Sequence, residues 1–121
     1  ALAQFFGDAL RFDVLHLGMG ADGHTASLFP GTAALDVTDR RVTVGQAPPS
    51  AAVRDRLTLT FPALAHADLC LVAAAGVDKR EAFADVLDAY DGDAEGPPAA
   101  RVRTDGEMVW LVDRAMAQGE D

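Results

Sequence analysis

The chain of 121 residues holds one cysteine, Cys70, and ten basic residues against nineteen acidic ones. A single cysteine excludes an intrachain disulfide and a cysteine-based zinc site. Cys70 sits in the apolar run Leu69–Val72, so a buried, inert thiol in a reducing, cytoplasmic compartment is expected. The formal net charge of −9 argues against a nucleic-acid or anionic-membrane surface, each of which needs a basic patch. It also means that any anionic ligand must be held locally, against the overall field. No apolar run approaches the ~18 residues that a membrane-spanning helix requires. Asp8 and Arg11 interrupt the opening apolar stretch, which does not read as a signal peptide. The first residue is Ala and not Met, which points to a processed start or to part of a longer protein.

What is present reads as one α/β domain over residues 1–121. The pattern predicts the end of a helix over Leu2–Leu10, a buried strand over Phe12–Leu17 and at most a helical turn over Thr25–Phe29. Strands are expected at Arg41–Gly45 and Arg56–Thr60, with a short helix from Pro62 to about His66. Ala67–Ala75 is the most apolar run and reads as the central strand. Apolar residues at Ala82, Phe83, Val86, Leu87 and Tyr90 mark one face of a helix over Val77–Tyr90. Asp91–Pro98 reads as a surface loop, Glu107–Val112 as the last strand, and Asp113 as the cap of a terminal helix. Alternating strands and helices indicate a mostly parallel sheet with helices on both faces, a three-layer arrangement.

The stretch most loaded with chemistry is Gly18-Met19-Gly20-Ala21-Asp22-Gly23-His24. It follows the first strand, and loops leaving the carboxyl ends of strands are where open α/β sheets bind ligands. The glycines match a dinucleotide-binding turn, but that turn needs a helix continuing from the third glycine, and Pro30-Gly31 stops any helix within a few residues. Asp22 and His24 stand two apart. In an extended segment they would face one pocket, with the imidazole as a base near neutral pH. Alternatively, Asp22 closes an Asx-type turn and His24 merely packs. His16 and His66 read as structural. Lys79, the lone lysine, opens a helix after Gly76, where a compact charge suits phosphate. Arg56 opens a strand beside the Pro48-Pro49 loop. Each of these two cations is also readable as an ordinary surface residue.

Gly18–Gly31 (G-M-G-A-D-G-H-T-A-S-L-F-P-G), then R-L-T-L-T-F-P-A-L, A-G-V-D-K-R and M-V-W-L-V-D-R-A, together resemble 6-phosphogluconolactonases, which share a superfamily with glucosamine-6-phosphate isomerases/deaminases. The resemblance spans Phe12–Ala117 and corresponds to the second half of a family member, with a missing N-terminal half. It implies a Rossmann-like (NagB/RpiA/CoA-transferase-like) fold and hydrolysis of a small-molecule sugar-phosphate lactone, with no cofactor and no metal. His24 is then the general base, Asp22 its neighbour, and Arg56 and Lys79 the phosphate-binding cations. Gly20 and Gly23 lie against substrate, with loop N–H groups available to an oxyanion. The deaminase branch carries a glutamate where this chain has Phe29, which favours the lactonase. A deaminase/isomerase, or a non-catalytic module binding a nucleotide or sugar phosphate, are the alternatives.

Overall fold

The computed structural model describes residues 10–92 and 95–118. The helix expected over Leu2–Leu10 therefore falls almost wholly outside the described residues. Three strands, β1 (Phe12–Leu17), β4 (Ala67–Ala74) and β5 (Glu107–Val112), form a parallel sheet in the order β1-β4-β5. Leu15 lies opposite Cys70, and Val72 opposite Trp110. Two further strands, β2 (Val42–Gln46) and β3 (Asp55–Leu59), pair antiparallel in a hairpin separate from that sheet. The short helix α1 (Phe61–Leu64) follows β3, with Pro62 in its first turn and the Thr60 hydroxyl accepting from the Ala63 N–H.

After β4, Gly76 turns the chain at φ +114° into a 3₁₀ turn, Val77–Lys79, that runs into helix α2 (Arg80–Tyr90). Helix α2 buries Ala82, Phe83, Val86 and Ala89, whereas Leu87 is 47% exposed. The expected face is thus met at Ala82, Phe83, Val86 and the partly buried Tyr90, whereas Leu87 points outward and Ala89 joins the core instead. The Gly/Pro-rich segment after α2 ends in an unforeseen short helix, α3 (Pro98–Arg101), whose Ala99 and Ala100 are buried. Such a four-residue helix carries too little periodicity to stand out from a loop. The last helix is α4 (Arg114–Gln118). Asp113 caps it by accepting from the Met116 N–H at 2.9 Å, and the same carboxylate oxygen accepts from the Gly76 N–H at 3.2 Å. These two bonds hold its carboxyl below the usual carboxylate range.

The parallel sheet is the one expected, with β4 at its centre. One sheet face, carrying Leu15, Cys70, Val72 and Trp110, feeds two adjoining cores. Burial raises the Cys70 thiol, consistent with an inert side chain. The opposite face, with Val14, Leu69, Leu71, Val109 and Leu111, joins neither core among the described residues. Val14 is 57% and Leu111 56% exposed. Among the described residues β1 is an edge strand with only Leu15 buried, not a strand buried along its length.

Candidate active site

The loop after β1 folds back on itself without forming a helix. Thr25 is buried and its hydroxyl donates to the Gly18 carbonyl at 2.8 Å. The Gly20 N–H donates to the His24 carbonyl, the Gly23 N–H to the Gly20 carbonyl and the Leu28 N–H to the Thr25 carbonyl. The G-x-G-x-x-G match therefore opens no helix for a pyrophosphate to sit on. Nor are the N–H groups of Gly20 and Gly23 available to an oxyanion, since both are spent inside the loop.

Asp22 and His24 satisfy both readings of their spacing at once. One carboxylate oxygen of Asp22 accepts the His24 backbone N–H at 3.0 Å, an Asx-type turn, and lies 2.6 Å from Nδ1 of the His24 ring. Partial burial pushes the Asp22 carboxyl up. The His24 backbone N–H and ring outweigh that effect and hold it below the usual range. An ionised carboxylate only accepts, so it assigns the proton of neutral imidazole to Nδ1 and leaves the lone pair on Nε2. Side chains of this pair are 31% (His24) and 40% (Asp22) exposed, reachable from solvent. Gly20 leaves the space the ring needs: a Cβ there would collide with Cε1 and Nδ1 of His24.

His24 opens on a cleft of about 490 Å³ lined by Gly18, Gly20, Thr25, Ala73 and Lys79, among others. Loops leaving the adjacent parallel strands β1 and β4 thus bring His24 and Lys79 to one cavity at the carboxyl end of the sheet. The Asp113–Gly76 bond braces the turn that carries Lys79. Gly23 does not line this cleft. At φ +83° it packs against Pro97, and its carbonyl accepts the Ala99 N–H. Arg56 does not line it either. It is exposed on β3, its Nε donates to the Val53 carbonyl, and its guanidinium stands 5.8 Å from the centroid of Phe29. Among the described residues neither Arg56 nor Lys79 makes an ion pair.

The hairpin is seated on the loop. The Ser27 N–H donates to the Thr58 hydroxyl, and the Ser27 carbonyl occupies the space a Cβ at Gly45 would need. The ring of Phe29, 4% exposed, stacks on His24 with centroids 4.5 Å apart. Residue patterning gave Phe29 no part in the site; only the resemblance singled it out, as standing where the deaminase branch carries a glutamate. His16 lies on the uncovered sheet face, and His66 bonds Asp105 at the far end of the sheet. Both are away from the cleft. No group of three or more His, Cys, Asp or Glu side chains able to hold a metal occurs among the described residues.

A family model described as glucosamine-6-phosphate isomerases/6-phosphogluconolactonase matches residues 1–110. The chain belongs to this family. It is 40% identical over 117 residues to a 6-phosphogluconolactonase of Synechocystis sp., covering 93% of the chain and 47% of that protein. A 6-phosphogluconolactonase of Nostoc sp. is 41% identical over 109 residues, covering 90% of the chain and 43% of that protein. Among solved structures, 6-phosphogluconolactonase from Trypanosoma brucei superposes with a TM-score of 0.82 at 31% identity, over 99% of the chain and 50% of its own. The chain thus spans about half the length of these family members. Its α/β fold with a parallel sheet is that of its 6-phosphogluconolactonase neighbours.

Proposed function

We propose that the chain carries the base-bearing half of a 6-phosphogluconolactonase, which hydrolyses 6-phospho-D-glucono-1,5-lactone to 6-phospho-D-gluconate, a step of the oxidative pentose phosphate pathway. The observation that carries this reading is the Asp22–His24 pair opening on a cleft shared with Lys79. Nε2 of His24 takes a proton from water as the water oxygen bonds to C1 of the lactone, and the carbonyl becomes an oxyanion. The C1–O5 bond then breaks as the oxyanion collapses, and the Nε2 proton passes to the ring oxygen that leaves. Asp22 holds the tautomer and stabilises the imidazolium between the two transfers. General acid–base help of this kind supplies roughly 10²–10⁴-fold.

The phosphate does not react. Lys79 holds it in the cleft and fixes the lactone carbonyl against His24, so remote binding serves the reacting centre. Arg56 stands outside that cleft, beyond Phe29, and is given no share in holding the phosphate there. Completing the unit calls for polypeptide equivalent to the remaining half of the relatives, and the sheet face of Val14, Leu71 and Leu111 is the apolar surface suited to receive it. Phe29 has no proton to exchange, which disfavours the amino-sugar-phosphate deaminase alternative.

The test is hydrolysis of freshly generated 6-phosphogluconolactone, corrected for the spontaneous rate, by the wild-type protein and by His24→Ala. Turnover is expected to fall at least about 100-fold with the fold intact, and near-normal turnover in the variant removes His24 from its role. A thermal-shift panel is expected to show stabilisation by 6-phosphogluconate. Stabilisation by NAD or NADP alone would favour the nucleotide-binding module, and ammonia release from glucosamine 6-phosphate would favour the deaminase.

A further inference from the structure

Phe29 touches two elements of the site while having no polar atom of its own. Its ring stacks on the His24 imidazole, centroids 4.5 Å apart and planes inclined by 30°. The Arg56 guanidinium stands 5.8 Å from the same centroid. The other restraints on the imidazole act at one corner. Asp22 holds Nδ1, and Gly20 only leaves room at the adjacent edge. A single hydrogen bond at one ring atom does not fix the ring plane, because the histidine χ2 torsion is broad. Something flat must do so if Nε2 is to keep facing the cleft, and the buried Phe29 ring is the flat surface present.

We infer that Phe29 is a positioning residue for the hydrolytic step. Its ring sets the plane of His24 and joins that plane to the hairpin bearing Arg56. This rests on the reading of His24 as the general base. The charged groups around His24 are Asp22 at Nδ1, Lys79 across the cleft and Arg56 beyond Phe29. None of the three offers a surface parallel to the imidazole. Phe29 acts during turnover by restricting the ring before water arrives, so its loss shows in kcat and leaves phosphate binding unaltered.

The experiment compares Phe29→Leu, Phe29→Tyr and His24→Ala, with kcat and KM determined separately and the His24 imidazole C–H resonances followed by NMR. Phe29→Leu keeps an apolar side chain but no flat face. It is expected to lower kcat about tenfold with KM changed less than about twofold. Its His24 resonances should move downfield as the ring current is lost. Phe29→Tyr keeps the face and should retain kcat within about threefold and the upfield resonance. Wild-type kcat in Phe29→Leu, with His24→Ala inactive, overturns the inference and spares the base assignment. Equal losses in the Leu and Tyr variants, with matched resonances, reduce Phe29 to packing and also overturn it. Full turnover in His24→Ala removes the base assignment and this inference with it.

Discussion

The two ends of the parallel sheet treat their charges in opposite ways. At the amino ends of the strands, Arg11 bonds Asp68 and Asp105 together, and His66 shares Asp105. Arg11 there has two carboxylates, and the cluster is a surface network that ties β1 to the entries of β4 and β5. At the carboxyl ends, Lys79 has no acidic partner among the described residues and lines a cleft with His24. The carboxylates nearby are committed elsewhere, Asp22 to His24 and Asp113 to the Gly76 and Met116 N–H groups. Other cations, Arg56 and Arg103 among them, also make no ion pair among the described residues, so what sets Lys79 apart is the cleft it shares with His24. A cation left unpaired in a concave site is a better pointer to an anionic ligand than any count of basic residues.

Substitutions at the two ends sharpen that contrast. The largest effect belongs to His24→Ala, with turnover down at least about 100-fold and the thermal midpoint nearly unchanged. Gly20→Ala comes next. The added methyl meets the His24 ring, so kcat should drop and stability fall by about 1–3 kcal/mol, read by chemical denaturation. Lys79→Ala should raise KM about tenfold with kcat little changed, and an unaltered KM would erase the distinction between the ends. Arg11→Ala should leave kcat and KM alone and lower the thermal midpoint only slightly, because its ion pairs are solvent-exposed.

The smallest effect concerns acid. Asp22, Asp105 and Asp113 all have folded carboxyls held below the usual range. A lowered folded pKa adds stability above the unfolded value, about 4, and that stability is lost as pH falls through the folded value. Thermal midpoints should therefore decline below about pH 4, and Asp113→Asn should flatten that decline.

The strands and the main helix were legible because each carries a period the backbone must obey. Ala67–Ala74 is apolar apart from Asp68 and runs between two strands, and Asp113 announced its helix through one short polar side chain. The covered face of the sheet was not legible, since Val14 and Leu15 look alike in sequence and differ only in what packs on them. In the site, Asp22, His24 and Lys79 were visible as residue types at telling positions. The seating of Arg56 outside the cleft, over Phe29, depends on how the hairpin lies on the loop. No local pattern encodes that contact. Gly23 misled for a related reason: a glycine demanded by a backbone turn looks the same as one demanded by a ligand.

Gly45 has one more consequence. With the Ser27 carbonyl filling the place of its missing side chain, hairpin and loop meet backbone to backbone, with nothing compressible between them. The spacing between the strand that bears Arg56 and the turn that bears His24 works as a ruler of fixed length. Exposed hairpin side chains such as Val44 and Leu57 can be exchanged without resetting it, whereas any residue larger than glycine at position 45 would pry the two apart and lengthen it in a single step.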